Sequence, residues 1–301
     1  MDLTLYSHLG PSAQSVMDLS QAERILFVKQ DHWVGYTRAK EILQRMEGIL
    51  QAPMVIRPEC LLIIGDTNNG KSRILHRFME RHAPVERPDG AGTQRPAVMI
   101  QAPPGADSRR LYEGILDCLG GFGLNVLSRG LPWRLTITQL RNLGVRMLII
   151  DEIHDLVAGS HQRQKDALAA LKNLANELRI PVVGAGTESA HFALANIDPQ
   201  LENRFKPIVL TRWKDGVELR RFLKSMVGVL PLKKESLIDH PGTAKYLAAL
   251  MDGKIGELIT ILKCAAIVAI ETEVEQIDLD IIRKVESIAP AHRRGLIHGD
   301  L

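Results

Sequence analysis

The segment Gly65-Asp66-Thr67-Asn68-Asn69-Gly70-Lys71-Ser72 constrains the fold of this chain most strongly. It fits GxxxxGK[ST], directly follows the apolar run 60–64 and precedes a helical pattern at 71–81. Glycines let the backbone fold closely around phosphate, while successive amides and a helix N-terminus donate to it. Lys71 offsets phosphate charge, and the Ser72 hydroxyl is a ligand for Mg²⁺. We therefore predict that Gly65–Arg73 binds ATP and Mg²⁺. An accidental glycine-rich turn would not explain the order Gly-Lys-Ser.

Short apolar runs alternate with helical patterns through the first two thirds of the chain. The runs are 60–64, 97–100, 147–150, 181–183 and 208–210, with helices expected at 37–50, 71–81, 108–119 and 163–178. This alternation predicts an α/β fold with a five-stranded parallel sheet and flanking helices. Beyond residue 210 only helical patterns follow, at 217–229, 243–251, 255–273 and 279–288. They predict a small C-terminal helical lid.

These patterns divide the chain into four expected parts. Residues 1–30 form an N-terminal extension, 31–212 the α/β nucleotide-binding domain, 213–289 the helical lid and 290–301 a C-terminal tail. The tail lacks apolar periodicity, so we expect it to fray. A partner-binding tail is the alternative.

Composition excludes little beyond membrane insertion. The 38 Lys+Arg against 35 Asp+Glu give a net charge of +3, which identifies no polyanionic partner. The three cysteines, Cys60, Cys118 and Cys264, lack metal-binding spacing, so we expect reduced thiols in the core. No apolar run approaches the roughly 18 residues that a membrane span requires. We expect a cytoplasmic protein.

Two carboxylates follow the apolar run 147–150. Asp151 and Glu152 would lie at the carboxyl end of a buried strand, where open parallel sheets bind their ligands. Asp151 would hold the Mg²⁺ shell and Glu152 would polarise the attacking water. An Asp-Glu pair after a strand is a weak signal alone, but the phosphate-binding motif supports it. His154 and Asp155 are expected only as the solvated start of a helix.

Two further residues are candidates for the catalytic set. Thr187 ends the fourth strand, which closes with Val183-Gly184-Ala185-Gly186-Thr187, and its hydroxyl could sense the γ-phosphate or cap the following helix. Arg204, within the segment 201–205, precedes the fifth run and could reach the γ-phosphate of a neighbouring subunit as an arginine finger. The alternative for Arg204 is a surface salt bridge.

The order of these motifs resembles that of the AAA+ ATPases over roughly residues 30–290. In that family the region before the first strand cradles adenine, and Trp33-Val34-Gly35-Tyr36 looks like that segment, which makes Val34 and Gly35 expected base contacts. A hydrophobic staple before the helix at 37–50 is the alternative. Gly256 stands where many members carry a second sensor arginine. Either Lys254 replaces that arginine or the contact is missing.

Within AAA+, three segments look similar to the TniB/TnsC group of transposition regulators, with the phage Mu B protein more distant. They are Trp33–Tyr36, Gln101-Ala102-Pro103-Pro104 and the pattern Gly-x-x-Gly-x-Leu at 253–258. The resemblance implies an ATP-dependent homo-oligomer, a ring or filament, that assembles on double-stranded DNA in the bacterial nucleoid. It would recruit or activate a DDE-type transposase, with a TniQ-like targeting protein as a further partner. ATP hydrolysis would disassemble or edit the complex.

Such an assembly should contact DNA through phosphate-directed cations rather than base readers. The candidates are Arg109 and Arg110, at the start of the helix after the second strand, then Arg129 and Arg134. A solvated first helical turn explains Arg109 and Arg110 as well, although the helix dipole disfavours cations there. Trp133 beside Arg134 could pack into the core as readily as it could contact DNA.

Two other functions share the nucleotide motifs. An AAA+ replication helicase loader or initiator-like ATPase would use the same site, although no helix-turn-helix pattern follows the lid. A P-loop kinase acting on a small molecule would also use it, but the helical lid and the position of Arg204 disfavour that function.

Overall fold

The computed structural model describes residues 6–88, 90, 92–105, 107–121, 132–197 and 203–298. These residues form two compact units. One combines the described parts of 1–37 and 212–301, and the other comprises those of 38–211. Residues 31–37, which we expected in the α/β domain, fall in the first unit.

Helices and strands follow one another along the chain from α1 to α13. They are α1 (Pro11–Gln14), α2 (Gln21–Lys29), α3 (Thr37–Gln51), β1 (Cys60–Gly65), α4 (Lys71–Arg81), β2 (Val85–Glu86), β3 (Thr93–Gln94), β4 (Ala97–Gln101), α5 (Ser108–Cys118), α6 (Pro132–Asn142), β5 (Met147–Asp151), a 3₁₀ helix (Ile153–Val157), α7 (His161–Leu178), β6 (Val182–Gly186), α8 (Glu188–Ile197), β7 (Phe205–Leu210), α9 (Val217–Val227), α10 (Pro241–Leu250), α11 (Ile255–Glu271), α12 (Leu279–Glu286) and α13 (Pro290–His298).

Five parallel strands form the sheet of the α/β unit, in the order β4-β5-β6-β1-β7. The predicted five-stranded parallel sheet with flanking helices is confirmed. Because β6 lies between β1 and β5, the carboxyl ends of these three strands share one edge of the sheet. We call this the carboxyl edge and the opposite one the amino edge. The strands β2 and β3 form a separate small hairpin.

Two strands extend three residues beyond their apolar runs, β6 at its end and β7 at its start. β6 continues through Gly184 and Gly186, although glycine is depleted in strands. β7 begins at Phe205, two residues before Pro207. Because β7 is an edge strand, a residue without an N–H is tolerated there.

The helical unit has its own core around α11, most of whose residues are buried. The segment before residue 30 is part of this unit, because α2 buries Val28 there and the buried Arg24 guanidinium hydrogen-bonds the carboxylate of Glu275. The expected fraying of the tail does not occur over residues 290–298, which form α13. Ile297 packs into the helical core, and Arg293 lies 3.3 Å from the Glu257 carboxylate.

The expectation that all three cysteines lie in the core was wrong for Cys118. Cys60 and Cys264 are buried, but Cys118 is exposed at the end of α5. Burial raises the pKa of the Cys264 thiol to about 11.

Among the described residues, no helix is both long and apolar enough to cross a membrane.

Candidate nucleotide site

The loop between β1 and α4 has the backbone that close wrapping around a phosphate requires. Asn68 and Gly70 have positive φ angles of 63° and 86°, and Gly70 immediately precedes α4. Asparagine and glycine are the residues that adopt this conformation most readily. A side chain at Gly65 would meet the Leu210 Cβ at 3.0 Å, so β1 and β7 can lie this close only with glycine there. These residues fit a phosphate at the N-terminus of α4.

Lys71 is buried and carries its ammonium group into the loop. Its Nζ donates to the backbone oxygens of Gly65 and Asp66, each at 2.9 Å. Burial lowers the pKa of Lys71, while the carboxylates of Glu152 and Asp151 oppose this effect. The Lys71 ammonium group is thus held in a partly dehydrated site beside two carboxylates. This position suits a cation that offsets the charge of bound phosphates.

Asn69 connects the phosphate loop to β7, a role that sequence reasoning missed. Its Nδ2 donates to the backbone oxygens of Leu210, at 3.0 Å, and Thr211, at 3.2 Å. The side chain is buried, and its Oδ1 has no hydrogen-bond partner among the described residues. Only the fold brings the end of β7 beside this loop.

Asp151 and Glu152 lie at the carboxyl end of β5, as predicted. The buried Asp151 accepts a hydrogen bond from the Glu152 amide at 2.9 Å. Glu152 has φ 51° and ψ 42°, the left-handed conformation that is uncommon outside glycine and asparagine. Such a residue costs about 1–3 kcal/mol and persists only where its surroundings enforce it.

Ile153 provides that enforcement. Its fully buried side chain packs against β6, where a Cβ at Gly184 would lie 2.7 Å from the Ile153 Cδ1. A Cβ at Gly186 would lie 3.0 Å from the Ile153 Cγ2. The two glycines therefore make room for the isoleucine that fixes the turn carrying Glu152. The spacing Gly-x-Gly in a strand is a sign of a close approach by another segment, but it does not identify Ile153 as the residue that approaches.

His154 and Asp155 lie in the 3₁₀ helix that begins at Ile153, as expected, and leave 35% and 33% of their side chains exposed. The Nδ1 of His154 lies 3.1 Å from Oε2 of Glu152, and its Nε2 lies 3.9 Å from Oδ1 of Asp155. The same Nδ1 is buried and has no hydrogen-bond partner among the described residues, so its contact with Glu152 is one of proximity. His154 therefore borders the candidate catalytic carboxylate.

Thr187 follows β6 directly and is partly buried. Its hydroxyl hydrogen-bonds the Ser189 hydroxyl at 2.7 Å, and its backbone oxygen accepts from the Ala190 amide at 3.1 Å. The registers Ile64↔Gly186 and Ile150↔Gly184 place Thr187 on the same edge as the phosphate loop and Asp151. Ser72 and Arg73 follow Lys71 in the first turn of α4. The residues predicted to bind the phosphates and Mg²⁺ therefore share the carboxyl edge with Glu152 and Thr187.

Arg204 lies at the opposite edge. Its backbone oxygen accepts from the Cys60 amide at the start of β1, and its Nη1 donates to Oδ1 of Asn176 at 2.7 Å. β1 has six residues, so about 16–20 Å of strand separate Arg204 from the phosphate loop of its own chain. The structure does not bring this guanidinium to its own nucleotide site.

The expected adenine segment belongs to the helical unit. Val34 packs against the core of that unit, and the Tyr36 ring meets the Trp213 ring edge-on at 4.9 Å. The base contacts of Val34 and Gly35 stay a prediction of the resemblance. In the same unit, the ammonium group of Lys254 lies 3.2 Å from the Asp252 carboxylate.

The candidate DNA contacts lie on exposed helix starts. Asp107 caps α5 by accepting from the amides of Arg109 and Arg110, and this carboxylate offsets the unfavourable placement of two cations. Arg134 lies with its guanidinium 5.5 Å from the centre of the Trp133 ring. Trp133 is 38% exposed, so it does not pack into the core. Arg129 lies outside the described residues.

Solved structures similar to this chain have the AAA+ P-loop ATPase fold. The ORC2 protein of Aeropyrum pernix in its ADP form is 14% identical, with 86% of this chain and 71% of that chain covered and a TM-score of 0.63. Cdc6p from Pyrobaculum aerophilum is 19% identical, over 86% and 69%, with a TM-score of 0.60. The A. pernix ORC1 protein in complex with DNA is 16% identical, over 87% and 68%, with a TM-score of 0.58.

At these identities the likeness establishes the fold alone. No curated protein matches the chain. The family described as bacterial TniB protein matches residues 24–215, which is more than half of the sequence. That match includes the phosphate loop, the carboxylates after β5, Thr187 and Arg204. The chain belongs to the TniB family.

Proposed function

We propose that this protein is an ATPase whose nucleotide cycle controls its assembly on double-stranded DNA, where it regulates DNA transposition. The observation that carries the proposal is the division of its candidate catalytic groups between opposite edges of one sheet. Lys71, Glu152 and Thr187 are at the carboxyl edge, and Arg204 is at the amino edge. A complete hydrolytic site then requires two copies of the chain.

Each residue of the carboxyl edge has a role in this proposal. Lys71 and the loop amides hold the phosphates, and Ser72 and Asp151 are the Mg²⁺ ligands. Glu152 orients the attacking water and accepts its proton, and Thr187 donates its hydroxyl toward the γ-phosphate. Bound MgATP supplies the phosphoryl group and a cation that offsets the charge developing during its transfer.

Arg204 serves a neighbouring copy. A guanidinium brought to another subunit's γ-phosphate stabilises the charge of the transition state. Asn176 accepts a hydrogen bond from the Nη1 of Arg204, which holds the guanidinium at the amino edge. Hydrolysis is thereby coupled to assembly, since an isolated copy lacks the arginine.

Membership of the TniB family supports the transposition part of the proposal. Arg109, Arg110 and Arg134 are exposed and would meet DNA phosphates without reading bases. The partner recruited to the assembled protein would be a DDE-type transposase, with a TniQ-like protein as a targeting factor.

The deciding experiment is electron microscopy of Glu152→Gln with MgATP and duplex DNA at low salt. We expect stable DNA-bound oligomers, because ATP binds but turns over slowly, with Arg204 of one copy at the nucleotide of the next. A protein that stays monomeric under these conditions contradicts the proposal. Affinity capture on the assembled complex then separates partners, since recovery of a replicative helicase instead of a transposase would indicate a helicase loader.

A further inference from the structure

The segment that enters β1 carries three consecutive exposed apolar side chains. Met54, Val55 and Ile56 leave 56%, 48% and 73% of their surfaces exposed. Met54 and Val55 line a groove of about 230 Å³ together with Ile49 and Pro181. Scattered exposed apolar residues are ordinary, but a contiguous patch of them usually marks an interaction surface.

This apolar segment adjoins the surface of Arg204. A second groove is lined by Arg57, Asn203, Arg204 and Lys206, and the two grooves share Pro58 and Glu59. Both therefore lie at the amino edge of the sheet. A partner that covers Arg204 also covers part of the apolar segment.

The two edges of the sheet carry opposite charges. The side chains lining the two amino-edge grooves include six cations against one carboxylate: Arg45, Arg57, Arg146, Arg179, Arg204 and Lys206 against Glu59. The turns and first helical turns that follow β1, β4, β5 and β6 at the carboxyl edge carry six carboxylates against four cations: Asp66, Asp107, Asp151, Glu152, Asp155 and Glu188 against Lys71, Arg73, Arg109 and Arg110. A head-to-tail contact between copies brings these unlike charges together, whereas a contact between two amino edges brings like charges together.

The carboxyl edge also offers apolar surface. Val209, near the end of β7, and Phe192, on the helix that follows Thr187, are exposed. An exposed phenylalanine is a side chain against which a small apolar segment packs well.

We propose that Met54–Ile56 is the apolar anchor by which the amino edge of one copy docks on the carboxyl edge of the next. The proposal rests on the proposed function in one respect, that Arg204 acts on a neighbouring copy's nucleotide. Arg204 binds its target only when a phosphate is present, whereas burial of Val55 and Ile56 stabilises the contact in every nucleotide state. A DNA partner is less suited to Met54–Ile56 themselves, because three apolar side chains donate nothing to phosphates. The cations around them would suit DNA, so the salt dependence of duplex binding is measured alongside assembly.

The first test uses the double variant Val55→Ser/Ile56→Ser, with Val85→Ser as the matched control. Val85 is 63% exposed in the separate hairpin and lines neither groove. Sedimentation velocity with MgATP should show the midpoint concentration of assembly raised roughly tenfold or more in the double variant, since buried apolar anchors dominate such contacts. The control should assemble like the wild type. Binding of a fluorescent ATP analogue should be unchanged in both variants, because neither change touches the phosphate loop.

A mixing experiment tests the head-to-tail geometry. The double variant retains a complete carboxyl edge, and Lys71→Ala retains the apolar anchor and Arg204. Neither protein alone should hydrolyse ATP efficiently at a concentration where the wild type is assembled. An equimolar mixture should recover a substantial part of the wild-type rate, because Lys71→Ala docks on the double variant's nucleotide site. Absence of recovery, with both proteins folded by circular dichroism, overturns the head-to-tail assignment.

The remaining outcomes separate this inference from the proposed function. If the wild type neither binds nor hydrolyses ATP, the proposed function fails. If the wild type assembles and turns over while the double variant does so equally well, the anchor is refuted and the function stands. If the double variant assembles normally but loses salt-sensitive duplex binding, the surface contacts DNA and the inference is overturned.

Discussion

The imidazole Nδ1 of His154 lies 3.1 Å from Oε2 of Glu152. A histidine therefore lies against the carboxylate that we propose orients the attacking water. Removing this ring frees the Glu152 side chain to adopt orientations that do not face the γ-phosphate. We therefore expect His154→Ala to lower kcat about tenfold, because displacement of a catalytic group by a fraction of an ångström is costly. The KM for ATP should stay unchanged. Steady-state kinetics with the assembled protein gives both values.

His161→Ala is the matched control, since this exposed histidine begins α7 and, among the described residues, makes no hydrogen bond or ion pair with Glu152. A similar loss of kcat in both variants would count against a specific role for His154. A large rise in KM would instead mean that His154 supports nucleotide binding.

Lys71→Ala and Glu152→Gln should separate binding from turnover. The first removes the buried ammonium group that donates to Gly65 and Asp66, so ATP binding and the assembly of this variant with itself should be lost together. Its amino edge can still dock on a copy that binds ATP. The second keeps a side chain of the same size but removes the base, so ATP should bind while hydrolysis falls by roughly 10²-fold or more. Equilibrium binding of a fluorescent analogue and a phosphate-release assay measure the two quantities. Equal loss of binding in both variants would contradict the assigned roles.

Arg204→Ala should impair turnover without weakening nucleotide binding to a single copy, because Arg204 lies at the amino edge, far from its own phosphate loop. We expect kcat to fall by about 10³-fold, the scale on which arginine fingers act. Lys206→Ala, on the same edge, is the control and should retain most of the activity. Mixing Arg204→Ala with Lys71→Ala should restore part of the rate, and failure to do so would argue against action across an interface.

Gly184→Ala should disturb both stability and turnover. The new methyl group would lie 2.7 Å from the Ile153 Cδ1, so Ile153 must move and carry the neighbouring Glu152 with it. We expect the free energy of unfolding to fall by about 1–3 kcal/mol, as for other overpacked cores. Urea denaturation measures this change, and Ile153→Val in the same background should recover part of it. Gly114→Ala, where nothing lies within 4 Å, is the control and should be neutral or slightly stabilising.

The phosphate loop and its helix could be predicted closely from sequence because their signals are local. Glycines, a lysine and a hydroxyl follow an apolar strand, and α4 has the predicted bounds of 71–81. Asp151 likewise ends its strand where expected. These predictions needed only the strand's apolar pattern and the rule that ligands meet the carboxyl ends of parallel strands.

Other features depend on contacts between distant segments, and local patterns could not reveal them. Gly184 and Gly186 resemble turn residues until Ile153 is seen to occupy their space. Asn69 acquires its partners only when β7 lies beside β1. The helix at 290–298 lacks clear periodicity because part of its support comes from the pair of Arg293 with Glu257 on another helix.

The buried pair of Arg24 and Glu275 should stabilise the helical unit in a pH-dependent way. Burial alone raises the pKa of Glu275, but hydrogen bonds from Arg24 and the Lys233 amide outweigh this effect and hold the pKa below its ordinary value. Arg24→Met leaves a buried carboxylate without this partner and should cost about 3–5 kcal/mol in urea denaturation at pH 7. Because the folded pKa is the lower one, the stabilisation is complete above the ordinary glutamate pKa of about 4.3 and is lost as the pH falls through the folded value. The difference in unfolding free energy between wild type and Glu275→Gln should therefore shrink in acid.

Glu41→Gln, from the exposed pair with Arg38, should change the stability by less than about 1 kcal/mol at either pH. A wild-type advantage that is the same at pH 7 and pH 3 would show that Glu275 acts through packing instead of charge.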